Sequence, residues 1–330
     1  EDLIPDFIQK SSGTLNGSLK LFGKRTAPNL NGLITVNDVT TTVSYTQVKY
    51  TIAETKVKFE NNAILLADSL VVQDNEGNIA YGGGKITHNH FKDLAIDLIV
   101  QTPKVKALNT TILDNEDFYG TAYLNGGAKF TGLTTVPLIY IWGESEAKST
   151  LEIPLSDAVS NKQHEFYQFI IPIDSNKIAE KEEEEEEEVK TIKVTGAKVK
   201  LDLHLDEDLE VKLILDQDAG DVLKVNGGGD IKIDVGQLGE YVNFFGEYKV
   251  TKGDYLFTMQ NVVNKPFRIK SGSTINFNGD IYENATVDMS ATYSRKVKLD
   301  DFISEYLNDD DDELKSIARS RVPVTLLLDL

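Results

Sequence analysis

Residues 246–293 constrain the chain more than any other stretch. Apolar side chains fall at alternate positions in short runs: Tyr248 and Val250; Tyr255, Phe257 and Met259; Phe267 and Ile269; Ile275 and Phe277; then Ala285, Val287, Met289, Ala291 and Tyr293. Period two puts each run on one face of a strand, because successive side chains point to opposite sides of the pleat. The runs are separated by residues 251–254, 264–266, 271–273 and 278–280, clusters of Gly, Asn, Asp, Ser and Pro that tolerate φ > 0 or preset φ and so make turns. The expected product is a meander of antiparallel strands with one apolar face and one wet face.

The rest of the chain repeats the pattern. Leu15, Leu19 and Leu21 stand between Gly13, Gly17 and Gly23, and residues 28–32 read as a turn into 33–36. The pair 57–59 and 64–66 reads as a hairpin, as does 70–72 with 79–81 around 74–78. Glycine clusters recur at 82–84, 126–127 and 227–229. Each opens a strand rather than a helix, so phosphate cradling is disfavoured, and a bulge or a close backbone approach is expected instead. Residues 182–188 are seven consecutive Glu, a self-repelling block that reads as a solvated loop. It divides the chain into an N-terminal half (1–175), an acidic loop (176–190) and a C-terminal half (191–330).

The second half opens on the sharpest hairpin pattern. Ala197, Val199, Leu201, Leu203 and Leu205 share one face opposite Lys198, Lys200, Asp202 and His204; residues 206–208 are expected to reverse the chain, and Leu209, Val211, Leu213 and Leu215 restore the apolar face. Near 297–319 the period changes. Leu299, Phe302, Ile303, Tyr306 and Leu307 predict a short amphipathic helix.

A formal charge of −19 and a pI near 4.7 argue against nucleic acid or an anionic membrane surface as partner. With no Cys there are no disulfides, thiolate metal sites or thiol nucleophiles. No apolar run is long enough to span a bilayer as a helix. The sequence reads as a piece of a longer protein, with membrane contact expected through segments outside it.

Signals for chemistry are weak. His88 and His90 lie at i, i+2, but no third ligand has zinc-like spacing; they read as two histidines of an exposed strand facing water, and His204 as a solvated residue. Residues 216–221 begin like a calcium loop, yet Asp221 stands where that loop needs Gly, and Gly227 where it needs Glu. The acidic run at 309–313 reads as a solvated linker. No nucleophile elbow, zinc-binding helix or P-loop is present. The expectation is a protein that is not an enzyme and carries no cofactor or metal.

The apolar strand faces remain. A second sheet clamped over them would make an ordinary core. A single sheet curled into an open groove would leave Val199, Leu201, Leu203, Val211, Leu213, Leu215, Ile231, Ile233, Tyr255, Phe257, Ile275 and Phe277 lining a trough that needs an apolar occupant. Acyl chains fit: at roughly 0.8 kcal/mol per buried methylene, a chain of about sixteen carbons gains on the order of 10 kcal/mol. Strands of about nine residues, one every eleven to thirteen, would give a trough roughly 120 to 145 Å long. The sequence leaves sandwich and trough open.

Particular motifs favour the trough. Gly246-x-Tyr248-x-Val250, Gly253-x-Tyr255-x-Phe257, Phe267-x-Ile269 and Gly272-Ser273-Thr274-Ile275-x-Phe277-x-Gly279-Asp280 resemble the C-terminal domain of the TamB family of AsmA-like envelope proteins. Residues 321–328 resemble the run before that family's last strands. Ser273 adds a residue between Gly272 and Thr274, and Ile281 stands where Pro is common. The match is closest over 190–330 and looser over 1–175. The resemblance implies an all-β fold, an elongated antiparallel meander curled into an open groove (a β-taco). It implies the periplasm of a Gram-negative envelope, with the full-length protein anchored in the inner membrane, and it implies transfer of phospholipid to the outer membrane. The alternative it carries is a scaffold for outer-membrane protein assembly that captures strands and partners an Omp85-type barrel. An enzyme on a β-solenoid is a distant third.

Overall fold

Nineteen strands make one hydrogen-bonded sheet in a computed structural model that describes residues 8–115, 118–154, 196–216, 220–237, 241–259, 263–281, 284–299, 316–317 and 319–329. The strands are β1 (Ile8–Lys24), β2 (Ala27–Val43), β3 (Val48–Ile52), β4 (Thr55–Glu60), β5 (Ala63–Asp74), β6 (Ile79–Asn89), β7 (Lys92–Thr110), β8 (Tyr119–Leu133), β9 (Leu138–Ser145) and β10 (Thr150–Pro154). They continue as β11 (Lys198–Leu205), β12 (Glu210–Asp216), β13 (Asp221–Val235), β14 (Val242–Met259), β15 (Val263–Ile269), β16 (Thr274–Asp280), β17 (Ala285–Asp288), β18 (Ser290–Lys298) and β19 (Arg321–Asp329).

Five pairs of these strands are the two halves of one broken rung. β3 and β4 both lie along β2, with Ile52 opposite Val39 and Thr55 opposite Val36. β9 and β10 lie along β8, β11 and β12 along β13, and β15 and β16 along β14. β17 and β18 lie in turn along β16 and β15. Nineteen strands therefore form fourteen rungs. At ~4.8 Å per rung the ribbon is roughly 60 Å long, half the expected length, because each rung is about twice as long as the alternation suggested.

Several expected reversals are consequently mid-rung breaks. Residues 206–208 do not turn a hairpin: β11 and β12 run in the same direction and do not pair with each other, since Val199 faces Val235 on one half of β13 and Val211 faces Val225 on the other. Residues 271–273 likewise jog between β15 and β16 without reversing the chain. Residues 251–254 lie inside β14, 264–266 inside β15, and 28–32 inside β2. The glycine clusters also sit within strands rather than opening them, and the one at 227–229 follows a register shift between Asn226 and Gly227. The hairpins expected at 57–66 and 70–81 form with the expected partners.

All neighbouring rungs are antiparallel except at the middle. There β9 pairs with β11, and β10 with β12, in parallel. Parallel neighbours cannot be joined by a tight turn; the sequence joining them, 155–195, lies outside the described residues and contains the Glu run. Most of the helix expected near 297–319 falls there too. At its start Val297 and Lys298 instead continue β18, paired with Val322 and Arg321. At its end the Ser320 N–H donates to the Ser316 carbonyl at 3.2 Å, one helical turn before β19.

The breaks line up, and they decide the shape. Val225 and Ile231 flank the break of β13, Val250 and Tyr248 that of β14, Ile269 and Ile275 that between β15 and β16, and Met289 joins β17 to β18. All seven are buried and belong to one core cluster. From β13 to β18, residues on the two arms of each rung thus pack against each other, so this part of the ribbon creases toward its apolar face. Glycine makes the crease by letting backbones meet. A β-carbon on Gly246 (φ +125°) would come within 2.0 Å of the Asp230 carbonyl oxygen, whereas one on Gly272 (φ +89°) would meet open space. Gly272→Ala then carries only its left-handed backbone strain, about 1 to 2 kcal/mol, while Gly246→Ala adds a backbone clash and should cost about 3 kcal/mol or more. Urea-unfolding midpoints of the two variants should fall in that order.

Candidate concave apolar site

Ladder register carries an apolar row across the ribbon without a polar interruption. Gly17 pairs with Ile34, Ile34 with Val57, Val57 with Leu66, Leu66 with Gly84, Gly84 with Leu98, Leu98 with Phe130 and Phe130 with Ile139. The row then crosses the parallel seam to Val199, Val235 and Val242. A neighbouring row runs Ala128, Ile141, Leu201, Ile233, Phe244. On the other arm Leu151, Val211, Val225, Gly253, Ile269, Ala291 and Leu328 are paired in sequence. Directly paired residues point to the same side, so this is one continuous concave apolar face.

Ladder pairing puts eleven of the twelve expected lining residues on it. Val199, Leu201 and Leu203 on β11 pair with Val235, Ile233 and Ile231; Val211 and Leu213 on β12 pair with Val225 and Leu223. Tyr255 pairs with Leu223 and Phe267, Phe257 with Lys265, Ile275 with Tyr248 and Val287, and Phe277 with Gly246 and Ala285. Leu215 sits at the register shift between Ile214 and Asp216. Only Ile231 and Ile275 are buried, at 4% and 8% exposure; Leu215 and Phe257 reach 38% and 36%, and the others are intermediate. A sheet clamped over this face would bury them all. Aromatic rings line the second half: Phe244 lies 5.8 Å from Phe277, and Phe267 lies 6.3 Å from Tyr255 and 5.7 Å from Tyr293. Tyr248 lies at the crease with a buried hydroxyl that has no hydrogen-bond partner among the described residues, and burial pushes that hydroxyl's pKa up.

The first half contributes as much, and sequence reasoning passed over it. Ile96, Leu98 and Val100 alternate as cleanly as β11 does, but Ile99 on the opposite face blurs the period, and glycine partners at 82, 84 and 126 hide the row they complete.

Over β10–β13 the convex face is laced by cross-strand ion pairs: Lys200 with Asp234 at 3.4 Å, Lys232 with Asp202 at 3.4 Å, Lys224 with Glu210 at 2.9 Å and Lys212 with Glu152 at 2.6 Å. His204 is not merely solvated. Its Nδ1 lies 2.7 Å from Asp230 Oδ1, and this hydrogen bond, reinforced by the charges of Asp230, Glu144 and Asp206, raises its pKa.

His88 and His90 do not share an exposed face. His88 is buried at 6% exposure; its ring stacks on Phe91 at 4.4 Å and its Nδ1 accepts the Phe91 N–H at 3.0 Å. His90 sits in the β6–β7 turn at φ +50°. Burial, then the neighbouring His90 charge, lowers the His88 pKa, as suits a neutral imidazole holding a turn. Asp216 and Asp221 are the paired ends of β12 and β13. No group of three or more metal-ligating side chains occurs among the described residues.

One rim of the first half is held by a polar clasp. Asp74 accepts from the backbone N–H groups of Glu76, Asn78 and Lys106 and from Asn78 Nδ2. The buried Lys106 ammonium pairs with Glu76, whose carboxylate also accepts from the Tyr123 hydroxyl at 2.9 Å, and the Tyr50 hydroxyl donates to the Lys106 carbonyl at 2.8 Å. β3, β5, β7 and β8 are thereby tied together. Burial works to raise the Asp74 pKa, but its hydrogen bonds outweigh that and hold it below the usual carboxylate range. A carboxylate with a depressed folded pKa adds stability above its unfolded pKa of about 3.9 and loses it as pH falls through the folded value. The Lys106 and Asn78 amides should stay protected from hydrogen exchange at pH 5 and lose protection only as the pH falls beneath the ordinary carboxylate value of about 3.9. Asp74→Ala should expose them at pH 7 at a cost of about 2 kcal/mol.

Among known proteins, the model of the TamB C-terminal domain matches residues 67–327. No curated protein and no solved structure matches the chain.

Proposed function

The chain belongs to the TamB C-terminal domain family, and from that premise we propose that its concave face binds phospholipid acyl chains and conducts lipid between the inner and outer membranes. The family works in the cell envelope, in outer-membrane assembly and lipid transport, as a transport and assembly module rather than an enzyme. One observation carries the finer reading: the apolar rows run from rung to rung without a polar residue, and most of their side chains remain half-exposed on a creased sheet. Hydrocarbon satisfies such a surface, and a row with no polar stop lets a chain slide along it at nearly constant free energy, since apolar burial is non-directional.

Periplasmic placement follows the family, and anchoring in the inner membrane belongs to the same proposal. No helix among the described residues is long and apolar enough to cross a membrane. A second reading, a scaffold that captures strands of outer-membrane proteins with an Omp85-type barrel as partner, is favoured by the sheet edges. β1 pairs only with β2 and β19 only with β18 among the described residues, and Leu326 and Leu327 on β19 are 55% and 65% exposed.

A photo-crosslinking residue at position 203 or 213 separates the two. Adducts to phospholipid, with phospholipid retained in native mass spectra, support conduction; adducts to protein strands alone support the scaffold. Leu203→Asp puts a carboxylate against hydrocarbon at a cost of several kcal/mol. It should cut bound phospholipid by about tenfold or more while far-ultraviolet circular dichroism stays unchanged. Loss of β content with lipid binding intact would sink the reading.

A further inference from the structure

The convex face changes character over β6–β9. Over β10–β13 it carries ion pairs, but here one ladder row reads Tyr81, Gln101, Gly127, Trp142 and the next reads Gly83, Ile99, Lys129, Tyr140. Gly83 and Gly127 carry no side chain, and a depression of about 380 Å³ is lined by Gly83 together with Tyr81, Ile99, Gln101, Asp97 and Lys129. It adjoins a second hollow of about 420 Å³ that shares Gly84 and Asp97. Trp142 lies across Gly127, where a β-carbon would come within 2.5 Å of its ring, and stacks on Tyr140 at 5.5 Å and 25°. Shielding a bare glycine accounts for Trp142. It does not account for Tyr81 and Ile99, which are 54% and 41% exposed on the wet side of the sheet.

We propose that this patch is a glycan-binding site for a neutral, extended chain of hexopyranose units, stacking on Tyr81 and Trp142 and hydrogen-bonded by Asp97, Gln101 and Lys129. The chemistry of the patch selects that class. Flat aromatic faces with negative π-clouds suit the C–H-rich faces of sugar rings. A carboxylate, an amide and an ammonium beside them match vicinal hydroxyls, which both donate and accept. None of those three side chains has a hydrogen bond or ion pair to the described residues. Three strand spacings separate Tyr81 from Trp142, roughly 14 Å, the reach of a short oligosaccharide.

Size and charge exclude other occupants. A stable protein interface takes about 800 Å² from each partner, more than this shallow hollow offers. An acyl chain would meet charged side chains at its margin. Asp97 is offset by Lys129 and the neighbouring Lys85, so the patch is near neutral within a chain of charge −19; an acidic polymer would be repelled by the whole molecule and a basic one would favour other surfaces.

Trp142 is the only tryptophan of the chain, so intrinsic fluorescence reports the site directly. Titration of the protein with chitohexaose, a neutral β-linked oligomer, should shift Trp142 emission saturably. Tyr81→Ala and Gln101→Ala should each weaken that response by roughly tenfold with unchanged thermal unfolding, because both side chains are exposed. Leu203→Asp, on the opposite face, should leave it intact, so failure of lipid binding and failure of glycan binding are read separately. An emission unmoved by millimolar oligosaccharide, or moved equally in Tyr81→Ala, would overturn the proposal. A shift that depends on protein concentration without sugar would overturn it too, by showing that the face buries a second copy of the chain.

Discussion

Everything in this structure depends on close contact between backbones where each rung bends. A strand of fifteen or more residues that stayed straight would build a broad sheet with one face wholly apolar, a surface that aggregates or recruits a second sheet. Here the carbonyl of Asp230 reaches to within van der Waals contact of Gly246, and Glu247 does the same at Gly229. The arms can then close far enough for Val225, Ile231, Tyr248, Val250 and Met289 to bury one another. The crease thus supplies a core to a sheet that has no second layer among the described residues, and it does so from residues of the same face that stays open farther out along each arm.

Such a core is narrow, and polar contacts compensate at its margins. Isolated surface ion pairs contribute little, commonly under about 1 kcal/mol, so the convex pairs such as Lys200–Asp234 serve mainly to fix register, because a slip of one residue would bring lysine onto the hydrocarbon face. The clasp around Asp74 is different in kind. Its carboxylate gathers several N–H groups from separate rungs, and Lys106 is itself buried, so this rim resists opening more strongly than a row of exposed pairs could.

How much of this was legible in the sequence depends on what each residue type encodes. Period-two alternation is local, which is why eleven of the twelve expected lining positions share one face by ladder pairing, while Leu215 falls at a register shift. Breaks were not legible, because Gly, Asn, Asp and Ser serve a hairpin reversal and a mid-rung jog equally well. Residues 74–78 reverse the chain and residues 206–208 do not, yet both are short acidic, turn-forming clusters. The distinction lies in the partner: β13 is long enough to pair with β11 and β12 end to end, and only its length across Gly227–Gly229 reveals that. The parallel seam was hidden for the same reason, since it is a pairing between strands far apart in sequence. His88 misled in the opposite direction, because a turn can bury an imidazole that alternation alone assigns to water.

The parallel seam also bears on the conduit proposed for this face. A pairing shifted by one residue would turn the apolar side chains of β11 to the other face and break the rows. The observed register sets Ile139 beside Val199 and Ile141 beside Leu201, so apolar rows cross the junction in step. A hydrocarbon chain moving along the concave face would therefore meet the same environment on both sides of the seam. Continuity across a junction that the local sequence pattern does not specify is what a sliding site needs and what a row of separate pockets would not.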